Sequence, residues 1–581
     1  MKLINRGARN LPANLALGKS PAMPEQGLPG LEHGSIRRRD FLASAAVLAA
    51  PAPRRRPNVV FMLTDDQGWG DVGIHGNDKI RTPNMDRVAR EGVQFTDFHS
   101  MPVCSPTRAC LLTGRYNYRT GVVDTYIGRS MMHPDEVTIA EMLRGAGYRT
   151  GIFGKWHLGD CYPLRAMDQG FDEAVVIRGG GLGQPSDVPG GGGYTNPILM
   201  EMGRPRRYQG YCTDIYTNLA LDFIERHRER PFFCYLPTNA PHSPLEIDEA
   251  AVAPYRKLGL DDATAKIYAM VENADTNLGR VLAKLRELKL EDNTILVFMT
   301  DNGPQQRTRY NGPWRGNKGT VYEGGIRVPF FVRWPAMVRP GTKIDRLAAH
   351  IDFTPTIAEA CGAALPPGRQ IDGRSLLPLL RGGVGNWSDR TLCFQWHRGD
   401  QPEPFRDCAA RNQRWKLVNG KELYDIANDP GEKQDVAAAN PAIVQQLRQD
   451  YEAWFASVSA TRGYAPPRIL IGTEHESPTV LTRQDWRGGT GGWDKGSNGH
   501  WEVEIAAAGN YAVTAVLQPA DLAGEARFGL NGASATQSFA QGAISLDFGQ
   551  VALAAGPGQV RVDLTQGAKV IGPHQVTLRR V

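Results

Sequence analysis

Residues 104–115 read CSPTRACLLTGR, a thiol with an arginine four positions on. Four further polar clusters interrupt apolar surroundings: Asp65-Asp66, Lys155-Trp156-His157, His242 and Asp301-Asn302. Carboxylates, imidazoles, lysines and thiols are the side chains that hold cations, move protons or attack an electrophile. Taken singly, each has a plain structural reading: an Asp-Asp pair caps or turns a chain, His242 in a Pro-His-Ser-Pro stretch is a loop residue, and Cys104 is an exposed thiol. What joins them is where they fall relative to the elements around them.

Residues 58–63 (NVVFML) form an apolar, β-branched-rich run that ends at Thr64-Asp65-Asp66. A helix is predicted over 138–147, with Thr138 and Glu141 as a capping box, Ile139, Met142, Leu143 and Ala146 as one apolar face, and Gly147 as the stop. A strand is predicted over 148–153, a helix over 215–228, a strand over 232–236, a long helix over 263–289 and a strand over 294–299. Helices alternating with short, wholly apolar strands indicate a parallel sheet covered on both faces. Each polar cluster follows the end of a predicted strand at once or within a few residues. In open α/β sheets that is where ligands bind, outside the carboxyl ends of the strands. Four sequence-distant clusters therefore converge on one sheet edge.

Segment 179–193 holds eight glycines in fifteen residues and is predicted to be a mobile loop; its spacing does not fit a phosphate-binding loop. Past residue 385 come short strand-like pieces near 391–396 and 414–418, then a helix near 440–456. Residues 461–475 read as a linker. Alternating apolar and polar residues at 501–505, 511–516, 544–548 and 560–564, separated by turn-rich spacers, predict an antiparallel β-sandwich. The domain reading is a leader over 1–56, a catalytic α/β domain over 57–385, a subdomain over 386–460, the linker over 461–475 and an accessory sandwich over 476–581.

The chain has 581 residues, too many for one ordinary domain. Its net charge of +6 resides in the leader: residues 1–56 hold ten Lys and Arg against three Asp and Glu, and the rest is close to neutral. The basic balance is thus no argument for a nucleic-acid partner. Arg38-Arg39-Asp40-Phe41-Leu42, a short Ala-rich apolar stretch and Ala50-Pro51-Ala52 resemble a twin-arginine export signal with a cleavage site, so a periplasmic or secreted protein is expected. No apolar run is long enough for an integral membrane segment. Eight cysteines, without CxxC or zinc-like spacing, exclude a disulfide scaffold but leave room for one or two bridges.

The CSPTR core at Cys104, Pro106 and Arg108, continued by Leu111-Leu112-Thr113-Gly114-Arg115, resembles the type I sulfatases of the alkaline phosphatase superfamily. The likeness extends over most of 57–456, including Gly154-Lys-Trp-His-Leu-Gly159, Ala240-Pro-His-Ser-Pro244 and Arg315-Gly-Asn-Lys-Gly-Thr320. It implies an alkaline-phosphatase-like fold, with a large, mostly parallel mixed sheet flanked by helices, a smaller α+β subdomain and here an extra sandwich. It further implies that a formylglycine-generating enzyme oxidises Cys104 to Cα-formylglycine. The aldehyde hydrate is a geminal diol: one hydroxyl attacks sulfur and expels the alcohol, leaving a covalent sulfoenzyme. Proton loss from the other hydroxyl then expels sulfate. By the same resemblance Asp65, Asp66, Asp301 and Asn302 hold one Ca²⁺, an all-oxygen set suited to a hard cation. Arg108 orients the diol, Lys155 and Lys318 bind sulfate, His157 contacts the diol and assists its proton loss, and His242 protonates the leaving oxygen.

The leading expectation is a sulfatase acting on an aryl sulfate or a sulfated carbohydrate. A phosphonate monoester or phosphodiester hydrolase of the same superfamily is the first alternative; the presence of both lysines favours sulfate. A sulfated-glycan-binding protein with unmodified Cys104 is the second, and nothing in the retained residues suggests it.

Overall fold

The NVVFML run forms a strand, Asn58–Thr64 (β1), with every residue buried. In this computed structural model, which describes residues 56–383, 387–490 and 492–581, β1 lies inside a ten-stranded sheet. The export leader expected over 1–56 falls outside the described residues, Arg56 apart. The other strands are Val93–Phe95 (β2), Arg149–Lys155 (β3), Glu173–Ile177 (β4), Ile198–Glu201 (β5), Arg204–Arg207 (β6), Phe232–Pro237 (β7), Thr294–Thr300 (β8), Phe330–Arg333 (β9) and Thr342–Ile344 (β10). Their order is β10-β2-β9-β8-β1-β7-β3-β4-β5-β6. The central strands β8, β1, β7, β3 and β4 run parallel. Antiparallel pairing enters through β9 on one side and β5 and β6 on the other, which makes the sheet mixed.

The helices are Pro83–Glu91 (α1), Cys104–Thr113 (α2), Ile139–Gly145 (α3), Cys212–Arg226 (α4), Asp262–Glu287 (α5), Phe353–Cys361 (α6) and Pro441–Ser459 (α7). Strand periodicity sends alternate residues of β1 to opposite faces. Val59, Phe61 and Leu63 join Leu111, Ile139, Leu143 and Phe353 beneath α2, α3 and α6. Val60 and Met62 join Met85, Ile215, Phe223 and Met270 beneath α1, α4 and α5. This two-sided burial explains why the central strands read as unbroken apolar runs. The capping box on α3 forms as predicted, Thr138 accepting from the Glu141 amide and Glu141 from the Thr138 amide.

A four-stranded antiparallel sheet follows: Leu392–Gln395 (β11), Cys408–Arg411 (β12), Trp415–Val418 (β13) and Glu422–Asp425 (β14). It packs on α7 through Leu417, Leu423, Leu447 and Tyr451. It meets the rest of the catalytic domain through an apolar cluster, in which Leu392, Phe394 and Val418 pack with Tyr116, Tyr118 and Ile326, and through a buried ionic network. Arg411 bonds Asp97 at 2.7 Å and Glu323 at 3.1 Å. Lys416 bonds Glu323 at 3.1 Å and Glu432 at 2.8 Å. Arg327 closes the network on Asp97 and Glu323, and His99 Nε2 lies 2.9 Å from Glu323.

The last stretch forms two facing sheets. One is ordered Ile469–Ile471 (β15), His500–Ile505 (β17), Gly556–Gln566 (β22), Gly524–Leu530 (β19) and Ala533–Phe539 (β20), with Lys569–Ile571 (β23) on β22. The other is Thr479–Thr482 (β16), Gln575–Arg580 (β24), Gly509–Val516 (β18) and Ser545–Leu553 (β21). Trp486, Trp501, Tyr511, Val513, Phe528 and Val562 fill the space between them. Two features depart from expectation. The stretch read as a linker carries β15, which pairs in parallel with β17. The same core also takes in Ile127, Met131, Cys161 and Leu164 from the first part of the chain. All eight cysteines are free and buried, so no bridge forms.

Replacing Arg411 strands Asp97 and Glu323 without their full complement of cations. Arg411→Ala is expected to lower the unfolding free energy by about 3–5 kcal/mol, measured as an earlier first transition in urea. A loss below about 1 kcal/mol, the usual size for a surface ion pair, would show that the network does not hold the two sheets together.

Candidate active site

The four polar clusters meet where the parallel strands end. Asp65-Asp66 leave β1 and Asp301-Asn302 leave β8, the Asp301 amide donating to the Thr64 carbonyl at 3.1 Å. Lys155 is the last residue of β3, and His157 follows two residues later. His242 sits in the turn after β7, its amide donating to the Asn239 carbonyl at 2.8 Å. Cys104 opens α2, whose start is set by extended Val103 and by Pro106 in the first turn. Cys104 is 2 % exposed, so the thiol expected at the surface is instead enclosed, although it still lines a cleft of about 660 Å³ together with His157, His242 and Lys318.

The charged groups are interlocked. Arg108, one turn into α2, donates through Nη2 to Asp301 Oδ2 at 2.8 Å and through Nη1 to the Lys155 carbonyl at 3.1 Å. Lys155 Nζ bonds Asp65 Oδ2 at 2.5 Å, and Lys318 Nζ bonds Asp66 Oδ1 at 2.6 Å. Asn302 Nδ2 donates to Asp66 Oδ1 at 2.9 Å, and the Asp66 amide donates to Asp301 Oδ1 at 3.1 Å. All ten residues singled out in the sequence for catalysis, substrate binding and metal binding are thus gathered in one place.

Electrostatics follow from burial and these contacts. Burial pushes the Asp301 carboxyl up to about 6, with the Asp65 charge adding to it and Arg108 opposing. Burial works the same way on Asp66, but Lys318, His242 and Asn302 outweigh it and hold that carboxyl below its usual range. Burial disfavours charged Lys318, yet Asp66 more than offsets it, keeping the ammonium protonated. Burial lowers His242 to about 4, against the pull of Asp66. Burial, then Lys155 and Arg108, drive His157 well below its usual value. Cys104 is raised by burial, with Lys155 and Lys318 acting against that.

The residues present fit a cation. Asp65 Oδ1, Asp66 Oδ2 and Asn302 Oδ1 are buried oxygens with no hydrogen-bond donor. Buried acceptors left unsatisfied are costly, and an all-oxygen set is the donor chemistry of a hard divalent ion.

Both imidazoles are held by one nitrogen. His157 Nε2 lies 2.6 Å from the Thr125 carbonyl, leaving Nδ1 without a partner. His242 Nδ1 lies 2.6 Å from the Ser243 carbonyl, and its Nε2 is 3.8 Å from Asp66 Oδ2. A carbonyl accepts, so the held nitrogen carries the proton and the other is the acceptor of the neutral ring.

Two supporting features escaped sequence reasoning. Arg309 is buried, donating to the Asp66 carbonyl at 2.8 Å and to Asp71 at 2.6 Å. It steadies Asp66 at φ 62°, a left-handed conformation that is costly for a residue with a Cβ. The glycine-rich stretch packs on both histidines: a Cβ on Gly180 would lie 2.7 Å from His157, and one on Gly181 3.1 Å from His242. A dense glycine run was the available signal, and it denotes close approach here. Four further histidines have structural settings: His397 accepts from the Glu403 amide, His75 stacks on Trp69, His99 belongs to the buried ion network, and His133 meets the Ala465 carbonyl. Cys110 is buried on α2.

Residues 57–363 match the family model described as Sulfatase, and residues 314–455 match that described as N-sulphoglucosamine sulphohydrolase, C-terminal. The chain belongs to the sulfatase family, within the alkaline phosphatase superfamily, and is a sulfuric ester hydrolase. It is 34% identical to N-acetylgalactosamine-6-sulfatase of Canis lupus familiaris over 475 residues, covering 70% of this chain and 87% of the relative. It is 30% identical to steryl-sulfatase of Mus musculus over 566 residues, covering 77% and 88%. The crystal structure of Ps i-CgsB in complex with k-i-k-neocarrahexaose superposes with a TM-score of 0.65 at 29% identity, covering 71% of this chain and 95% of that one. Phosphonate monoester hydrolase of Agrobacterium radiobacter shares the fold, with a TM-score of 0.51 at 23% identity.

Gly180→Ala tests the approach of the glycine-rich stretch. Displacing the His157 ring is expected to lower kcat/KM for p-nitrophenyl sulfate by about tenfold or more while the protein stays folded. A change within about twofold would mean that the contact does not position His157.

Proposed function

We propose that the chain hydrolyses sulfate monoesters, with sulfated carbohydrates favoured over simple aryl sulfates, through formylglycine at position 104 and one Ca²⁺. The observation that carries this reading is the meeting of Cys104, His157, His242 and Lys318 on one cleft, with Lys155 and three donorless oxygens of Asp65, Asp66 and Asn302 buried in the same cluster. Oxidation of Cys104 by a formylglycine-generating enzyme supplies a hydrated aldehyde whose hydroxyl is the nucleophile. Asp65, Asp66, Asp301 and Asn302 would hold the cation, which would supply positive charge at the reacting sulfate.

The chain's own groups do the rest. Arg108, fixed by Asp301 and the Lys155 carbonyl, orients residue 104. Lys155 and Lys318 place ammonium groups against the sulfate oxygens, where fixed charges act most strongly on developing negative charge. His157, its Nε2–H committed to Thr125, presents Nδ1 as the base that takes a proton from the diol. His242 keeps Nε2 free toward Asp66; protonated once the anionic substrate is bound, it gives that proton to the leaving oxygen. A phosphodiester reading shares the cation and the nucleophile, but two lysines beside one anionic group favour sulfate. The leader motif supports export to the periplasm, and among the described residues no helix is long and apolar enough to cross a membrane.

Side-by-side rates on p-nitrophenyl sulfate and bis(p-nitrophenyl) phosphate test the activity. Sulfate release is expected to dominate and to vanish in Cys104→Ala. The wild-type tryptic peptide carrying residue 104 is expected to be lighter than its thiol form by about 18 Da. Faster phosphodiester cleavage, or an intact thiol in fully active protein, would overturn the reading.

A further inference from the structure

We propose that the C-terminal sandwich forms one wall of the substrate cleft, and that Trp493 determines specificity by taking the pyranose ring next to the sulfated unit. This rests on the sulfatase reading above. Trp493 lies between β16 and β17, beyond the stretches that match the family models, yet it lines the same cleft as Cys104 and His242. Its ring meets Tyr126 edge to face, with centroids 5.2 Å apart. Tyr126 in turn lies under the Arg398 guanidinium at 4.5 Å, and Arg398 is 5.0 Å from Trp396. Trp396 is fixed by its Nε1–H, which donates to Asp124 at 2.9 Å. Three aromatic rings and one arginine thus form an arc around the mouth of a site whose floor carries Cys104, His157, His242 and Lys318.

The arc is anchored. Arg483, buried over Trp486, donates to the Trp493 carbonyl at 3.2 Å and to the Pro573 carbonyl at 2.9 Å. Gln484 Nε2 donates to the Thr125 carbonyl at 3.0 Å and to Ser130 Oγ at 2.9 Å. The Gly128 amide donates to the Gln484 carbonyl at 2.7 Å, and Ile127 and Met131 lie in the sandwich core. The loop that carries Tyr126 is therefore held by the sandwich on one side and by His157, through Thr125, on the other.

This chemistry selects a class of occupant. Aromatic faces suit the apolar CH faces of a sugar, and their edges leave its hydroxyls to polar neighbours. Arg307 lies on the cleft, exposed and, among the described residues, with no ion pair, so it is available to a second anionic group on a longer ligand. A single small aryl sulfate reaches the floor without needing the arc. The geometry points to a sulfated oligosaccharide that extends from Cys104 toward Trp493.

The test uses full-length Trp493→Ala and Trp493→Phe, with p-nitrophenyl sulfate as substrate. Oligosaccharides of chondroitin 6-sulfate, κ-carrageenan and heparin serve as competitors. The wild type is expected to be inhibited by at least one of them. In Trp493→Ala the inhibition constant for that competitor should rise by about tenfold more than KM for p-nitrophenyl sulfate rises. Trp493→Phe should recover most of the loss. Equal losses on both ligands would assign Trp493 a merely structural role, and an unchanged inhibition constant would remove it from the site. Failure of all three oligosaccharides to compete with the wild type would overturn the saccharide class. A wild-type protein that does not hydrolyse p-nitrophenyl sulfate would instead strike at the underlying sulfatase reading.

Discussion

Three carboxylates, Asp65, Asp66 and Asp301, are buried together at the ends of neighbouring strands, and the rest of the site follows from keeping them there. Two like charges about 4 Å apart repel by about 4 kcal/mol at an effective dielectric of 20. Positive groups must therefore be brought in from elsewhere in the chain. Arg108 comes from α2, Lys155 from the end of β3 and Lys318 from the loop before β9, and each is bonded to one of the three acids. Those pairings fix where α2 begins, and hence where Cys104 lies. They also leave one oxygen each of Asp65, Asp66 and Asn302 for a cation. Neutralising the acids and building an anion-binding floor are one arrangement seen from two sides.

The same logic recurs at the join to the four-stranded sheet. Arg411 and Lys416 on β12 and β13 reach across to Asp97 and Glu323, so a buried ionic network lies beside the apolar seam that Leu392, Phe394 and Val418 make there. The C-terminal sandwich is joined differently. Its core absorbs Ile127, Met131, Cys161 and Leu164, and its polar contacts fall on the loop that bears Thr125 and Tyr126, on Tyr162 and Arg165, and on Asp187. Histidine position and sandwich packing are thereby coupled through one carbonyl.

The parallel strands were legible because burial on both faces leaves an unbroken apolar signature, and β1, β3, β7 and β8 lie close to where NVVFML and its counterparts place them. The polar clusters stood out against that background, so the convergence of Asp65, Lys155, His242 and Asp301 could be read from topology. Other features had no such contrast. β2 and β10 are three residues long, too short for a period to emerge. β15 lies inside a stretch that reads as a linker, because a strand is defined by a partner, and its partner β17 begins about thirty residues later. Gly180 and Gly181 read as a mobile loop, since a glycine carries no sign of what presses against it. Arg309 went unnoticed because one of its two partners, the Asp66 carbonyl, is common to every residue type. Cys104 was expected at the surface; its depth depends on Arg108 and the acids drawing α2 inward.

The measurement that tests this account most directly is the melting temperature of EDTA-treated full-length protein with and without added Ca²⁺, compared with that of Asn302→Ala. At a hundredfold excess over its Kd, Ca²⁺ is expected to stabilise the wild type by about 2.7 kcal/mol, and the variant, lacking one of the oxygens, should need far more Ca²⁺ for the same rise. A wild-type melting temperature that does not respond to Ca²⁺ would contradict the claim that the buried carboxylates are organised around a cation.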